Sequence, residues 1–306
     1  MAQEVQTLFS DGRAYVEGIV NTGLLMPENI TKLGQVAGLV FRNGGNHHRV
    51  LIGKDTRLPN YGIEKGLGQG LLAVGMAVVE TGPIPRPAIA MLTSSMNCDI
   101  GIMIGASEKS FDHSGIEIFG PAHHALSADK LERMEALYRT DLSKKLSLPK
   151  DLGKAKRIES AQGRYVEYAK GTLPNGISFK GLRVVVDCAH GAAYQVAPEA
   201  FIELETDLFV INVAPDGLNI NHECGTATPR ALKDKAHYHK ADVGFAFDGS
   251  GSRLCCVDEA GTVVEHDALQ AFFADKAWKD DPLVMALQIA ALIKGKGVPA
   301  SQIFPK

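Results

Sequence analysis

The sequence contains no basic run, no CxxC pair and no stretch of the roughly twenty apolar residues that spans a bilayer. Each absence excludes a class of protein. Lysine and arginine number 32 against 35 acidic residues, for a formal net charge of -3. Without a cluster of cations to neutralise a phosphate backbone, nucleic acid is not an expected partner. The five cysteines, Cys98, Cys188, Cys224, Cys255 and Cys256, are odd in number and lack metal-ligand spacing. They imply neither a disulfide framework nor a zinc site, and they point to the reducing cytoplasm. The opening MAQEVQTLFSDGR has no basic start followed by an apolar block, so neither secretion nor membrane insertion is expected.

What is present is an ordinary globular composition over 306 residues, 45% apolar and 22% charged, enough chain for two compact domains. Short apolar runs alternate with helix-period segments, the pattern of α/β units around a mostly parallel sheet. Strands are expected at Arg49 to Asp55, Met76 to Gly82, Asp99 to Gly105 and Ser114 to Gly120. Helices are expected at about Asn60 to Met76, Ala88 to Met96 and Ser127 to Tyr138, with Ser127 as N-cap. Pro83, Pro85 and Pro87 mark a loop. Between Asp141 and Arg157 the sequence is charged and broken by Pro and Gly, which places a first boundary there. A second set of units follows, with strands at Leu182 to Cys188, Thr206 to Val213 and Ala241 to Asp248. Its helices fall at Ser160 to Lys170, Ala193 to Leu204 and Pro229 to His239, and a hairpin turns at Asp258 to Gly261.

Three strands end in aspartate: Asp55, Asp187 and Asp248. At the carboxyl ends of parallel strands such residues face the ligand crevice, or they simply start a turn. The histidines His47, His48, His123, His124, His237 and His239 form no metal-ligand pattern and read as loop or surface residues.

The segment GIMIGASEKSFDHSGIEIFGP resembles the active-site serine loop of the α-D-phosphohexomutase family, whose usual form is SASHNP followed by DNGIK. LRVVVDCAHGAAYQVAPEAF and APDGLNINHECGTATPRAL are similar to stretches of the phosphoglucosamine mutases within it. The resemblance covers roughly residues 8 to 270 and implies phosphohexomutase-type α/β domains with mixed, mostly parallel sheets. By it, residues 1–150 are domain I with the serine loop and 151–257 are domain II with the metal loop. Residues 258–306 are then a remnant of domain III with C-terminal helices, most of the third domain and all of the fourth being absent. The family isomerises glucosamine 6-phosphate to glucosamine 1-phosphate for amino-sugar and peptidoglycan-precursor synthesis, through a phosphoserine and a bisphosphate intermediate.

The resemblance assigns the phosphoryl-carrying position to Ser107 and the family's acid/base lysine to Glu117. It also makes Arg13, Lys54 and Arg253 the phosphate- or substrate-binding candidates. The family's magnesium loop, DGDADR or DGDGDR, here reads Asp248-Gly249-Ser250-Gly251-Ser252-Arg253. Two carboxylates have become hydroxyls, a poor exchange for an ion that is held by carboxylate and phosphate charge. The metal residues Asp248, Ser250, Ser252 and Ser107 therefore form a degenerate site, and no cofactor is expected unless Mg²⁺ still binds there. Glu108 beside Ser107 opposes a serine-borne phosphate. These losses lead to the expectation of a pseudoenzyme that acts as a binding or regulatory module. The alternative is an active phosphoglucosamine mutase working through phosphorylated Ser107. Expected partners are a second copy through domain I, a mutase or pathway protein, or a sugar phosphate. A final amphipathic helix over Leu283 to Ile293 is expected to pack where the third domain would continue, or to form a dimer surface.

Overall fold

The computed structural model describes residues 8–9, 13–42, 48–121 and 124–304. The first unit runs β1 (Tyr15–Ile19), α1 (Pro27–Phe41), β2 (Arg49–Lys54), α2 (Pro59–Ala73), β3 (Ala77–Pro83), α3 (Arg86–Ser95), β4 (Ile100–Ile104), β5 (His113–Phe119), α4 (Ala128–Tyr138) and β6 (Ala155–Arg157). Its sheet has the order β1-β5-β4-β2-β3-β6, with β3, β2, β4 and β6 parallel and β5 antiparallel to both β4 and β1. The central strands are unbroken apolar runs because helices cover both faces. On one face α1 and α2 cross at glycines: a Cβ on Gly34 would lie 2.4 Å from Leu67 O, and one on Gly70 2.1 Å from Thr31 O. Only hydrogen fits there.

The second unit runs α5 (Ala161–Lys170), β7 (Arg183–Asp187), α6 (Val196–Glu203), β8 (Asp207–Ile211), α7 (Arg230–His239), β9 (Val243–Phe247), β10 (Leu254–Asp258), β11 (Val263–Val264), α8 (His266–Phe272) and α9 (Pro282–Lys296). The strand order is β11-β10-β9-β7-β8. Because side chains alternate along a strand, each strand feeds two cores. Val185, Ala246 and Cys255 pack with Leu232 and Ala236 of α7. Val184, Val186, Phe245, Phe247 and Cys256 pack on the other face with α5, α6 and α9. That second core continues into the first unit through Ile89 and Leu92 of α3, so the two sheets share one apolar interior.

Several elements differ from the sequence reading, which opens its units at Arg49 and so omits β1 and α1. Residues 155–157, assigned from sequence to the second domain, pair with β3 and complete the first sheet. Pro87 does not prolong the loop: the helix starts at Arg86 with Pro in its first turn, where a missing N–H costs nothing. Ser127 precedes α4 but its side chain makes no capping bond.

The correction at the C-terminal end is larger. α9 is not amphipathic: Leu283 through Leu287, Ile289 and Ala290 are all at most 1% exposed. Ala286 and Ala290 fill the face that a two-sided helix would leave polar, and a helix apolar all round is a buried one. It is spent within the chain, which removes it as a dimer surface. Asp281 fastens its start, accepting from Val284 N at 3.1 Å and from the Tyr165 hydroxyl of α5 at 2.7 Å. Gln288 donates to Thr172 O at 2.8 Å and Lys294 to Lys180 O at 2.6 Å.

Candidate active site

The carboxyl ends of β4 and β9 bring two loops together. After β4 the chain turns through Gly105 and Ala106 to Ser107, whose φ of 42° lies in the left-handed region. After β9 comes Asp248 and the turn to Arg253. The two units are tied here by a bond from Arg86 N to Ser250 O at 3.1 Å. Between the loops lies a cleft of about 780 Å³, lined by Arg13, Arg86, Ser107, Glu117, Ser250, Ser252, Arg253 and His266. A larger groove of about 1340 Å³ lies among Met91, Arg164, Glu167 and Glu199, and it contains neither Ser107 nor any residue of the turn after β9. The smaller cleft is the chemically equipped one.

The three strand-end aspartates all hold turns. Asp55, wholly buried, accepts from Arg57 Nε at 2.8 Å and Asn60 Nδ2 at 2.7 Å. Burial pushes its carboxyl above the usual range while Arg57 works against that. Asp187 accepts from Ala189 N and Asn212 Nδ2 at 2.9 Å and from Gly225 N at 3.0 Å. Burial raises it too, with these bonds opposing. Neither lines the cleft.

Asp248 is also wholly buried, and its own turn consumes it. Oδ1 accepts from Ser252 N at 2.6 Å and Arg253 N at 2.7 Å. Oδ2 accepts from Ser250 Oγ at 2.7 Å and Ser252 Oγ at 3.1 Å, and the two hydroxyls lie 2.9 Å apart. A divalent ion needs several anionic oxygens with lone pairs facing one point. One carboxylate already accepting four close hydrogen bonds does not supply them, and among the described residues no group of three His, Cys, Asp or Glu could hold a metal ion. The residues present do not fit magnesium.

Glu117 on β5 is gripped from across the cleft by Arg86, with Nε to Oε2 at 2.5 Å and the second guanidinium nitrogen to Oε1 at 2.6 Å. This bidentate fork pairs a cation and an anion inside the cleft. Arg253 lies 3.5 Å from Glu108 and 3.4 Å from Asp267, and its Nε is buried without a hydrogen bond. Thr226 Oγ1 donates to Glu108 at 2.6 Å. The carboxylate next to Ser107 is therefore directed to Thr226 and Arg253. Arg13 lines the cleft as expected, while Ser10, Asp11 and Gly12 of the entry segment, with His47 and His123, lie outside the described residues.

Lys54 is in a different place. It is 1% exposed, paired with Glu64 and stacked 4.1 Å from the Tyr61 ring centroid, and it does not line the cleft. The sequence reading misses Arg86 and His266. Burial, then the nearby Arg253, lowers the His266 pKa, and its Nδ1 accepts from Leu254 N at 3.2 Å. The stretch TGPIPRPAIAMLTSSM, which holds Arg86, is itself similar to the family, but the partners of the two residues, Glu117 and the Leu254 N–H, lie on strands distant in sequence.

Comparison with known proteins matches the family models for domains I and II. The phosphoglucomutase/phosphomannomutase α/β/α domain I covers residues 10–145 and domain II covers 163–261. A phosphoglucosamine mutase of Nitrobacter winogradskyi is 51% identical over 259 residues, 85% of this chain and 58% of that protein. One from Methylobacterium radiotolerans is 48% identical over 271 residues, 89% of this chain and 60% of that protein. The chain thus spans about 58% of the length of the curated relatives it matches. Among solved structures, a phosphoglucomutase/phosphomannomutase family protein of Burkholderia thailandensis superposes with TM-score 0.76 at 20% identity, covering 96% of this chain and 79% of that one. The phosphoglucomutase parafusin of Paramecium gives 0.60 at 16% identity, covering 89% and 57%. Both structures show the fold alone. Two matched domains in the right order, with the serine and aspartate loops facing one cleft, establish that the chain belongs to the phosphoglucomutase/phosphomannomutase family.

Proposed function

We propose that the chain acts in phosphoglucosamine mutase chemistry, with an amino-sugar phosphate in the cleft and Ser107 carrying the phosphoryl group between the sugar's 6- and 1-oxygens. The observation that carries this reading is the placement of Ser107 in one cleft with Arg13, Arg86 and Arg253. The half-identical relatives bearing the name phosphoglucosamine mutase support it. In such a transfer the phosphoryl group on Ser107 passes to the free hydroxyl of the sugar monophosphate, whose proton goes to the released serine oxygen; once the bisphosphate has reoriented, the serine oxygen takes back the other phosphoryl group as the sugar oxygen leaves with that proton. The protein's contribution is to align the groups and to meet the equatorial oxygens with guanidinium donors from Arg13, Arg86 and Arg253, the last two shared with the carboxylates of Glu117 and of Glu108 and Asp267.

A second reading, sugar-phosphate binding without turnover by a pseudoenzyme, is favoured by the closed hydrogen-bond set of Asp248. It goes with a regulatory role in a homodimer or beside a mutase or another protein of the pathway. No helix among the described residues is long and apolar enough to cross a membrane. The five cysteines are free and buried, which suits a reducing compartment, and we place either role in the cytoplasm.

A coupled assay for glucosamine 1-phosphate formation, run with a hexose bisphosphate activator, separates the two. Turnover that disappears in Ser107→Ala establishes the mutase. A ligand-dependent rise in melting temperature with no turnover establishes the binding module. Neither signal would reject both.

A further inference from the structure

The loop that presents Ser107 is held from both units at once. From the first, the fully buried Arg57 donates to Ser107 O at 3.2 Å, to His113 O at 3.2 Å and to Ser110 O. From the second, Asn221 in the loop between β8 and α7 donates its amide to Ser107 O at 2.8 Å and to Lys109 O at 2.9 Å. Ser107 and Asn221 both have positive φ, 42° and 59°. Asparagine visits that region readily, whereas serine enters it against a steric penalty that its surroundings must overcome.

We propose that Asn221 is a positioning residue for Ser107: its side-chain amide, reaching from the second unit, holds residues 107–109 so that the serine faces the cleft and Glu108 turns toward Thr226. The amide has two hydrogens, one for each carbonyl, and aspartate at this position would set lone pairs against both oxygens. Without the clamp only Thr226 and Arg253 hold the Glu108 carboxylate away from the place where a serine-borne phosphate would lie, and the left-handed turn at Ser107 loses one of its two side-chain supports. The clamp also makes the serine's geometry depend on how the two units sit together. Its chemical consequence rests on the reading in which Ser107 carries phosphate, whereas its structural consequence does not.

The test compares full-length wild type with Asn221→Ala, Asn221→Ser and Asn221→Asp. Asn219→Ala serves as control, since the Asn219 amide is used within its own loop, on Ala214 O at 3.0 Å. Two quantities are read: hydrogen exchange of the amides 106–111, and the rate at which Ser107 gains phosphate from glucose 1,6-bisphosphate, followed by intact mass. Asn221→Ala is expected to speed exchange in that segment about tenfold or more and to slow phosphate gain about ten- to a hundredfold. Asn221→Ser, with one donor, falls between it and wild type, Asn221→Asp is at least as impaired, and Asn219→Ala stays near wild type. Unchanged exchange in Asn221→Ala, or an equal rise in Asn219→Ala, overturns the clamp. Faster exchange with an unaltered phosphorylation rate overturns the positioning role. A wild-type protein that takes no phosphate removes the carrier reading of Ser107, and the exchange data still decide the clamp.

Discussion

Asp248 decides what the cleft can bind, because a buried carboxylate is most stable when every lone pair is met, and here the neighbouring serines and main-chain amides meet them. Converting the turn back toward a cation site requires new anionic oxygens. Ser250→Asp with Ser252→Asp is expected to make the melting temperature rise by several degrees with millimolar magnesium, while wild type stays unmoved. A wild-type shift that saturates with magnesium would contradict the account. At Glu117, a lysine introduced alone would face Arg86 across the fork, and Glu117→Lys should cost about 2 kcal/mol in denaturant unfolding. Adding Arg86→Leu should recover part of that loss, so the two changes are non-additive. At this scale the sequence is a good guide to residues that sit within a motif. Ser107, Ser250, Ser252, Glu117, Arg13 and Arg253 do meet in one cleft, with Asp248 buried behind it in the turn that carries the two serines. Lys54 does not join them, because its side chain lies in the apolar interior beside Glu64. Arg86, Arg57 and Asn221 act through partners that no local spacing reveals.

Among the elements, the crossing of α1 and α2 tests close packing against helix propensity. Gly34→Ala forces a methyl against the Leu67 carbonyl and should destabilise by about 2–4 kcal/mol. Gly62→Ala, on an exposed turn of α2 with nothing within 4 Å of the new carbon, should instead stabilise by about 0.5–1 kcal/mol. Urea unfolding of the pair checks both signs. The α9 anchor adds a pH dependence, since burial lifts the Asp281 carboxyl from 3.8 to about 6. The folded chain then keeps a proton that the unfolded chain has released. This contribution is whole below pH 3.8 and is lost as pH rises through about 6. Asp281→Asn keeps the acceptor for Tyr165 and cannot ionise, so wild type should lose about 2 kcal/mol relative to it between pH 4 and pH 7. A flat difference across that range would refute the assignment. The strands and most helices follow from apolar periodicity, as β2, β4, β7 and β9 show. α1 carries the same signal in Ile30, Leu33, Ala37 and Val40, whereas α9 reads as one-sided only while the equally buried Met285 and Ala286 are left out of the apolar set Leu283, Val284, Leu287, Ile289, Ala290 and Ile293.

For the whole molecule, the decisive feature is the interior shared through α3, α5 and α9. No pattern in the sequence says which helix faces two sheets, so the partition into separate domains is where a linear reading stops. With one continuous core the chain should melt in a single calorimetric transition, its van't Hoff and measured enthalpies agreeing, and two resolved transitions would show the units to be independent. That arrangement also has a temporal side. α9 is translated after every strand it covers, so a nascent chain whose synthesis has not passed residue 282 leaves part of the apolar face of β9 and β10, beside α5, uncovered even when the first unit has already condensed. The apolar surface of that unit is thus closed last, by the segment made last among these elements.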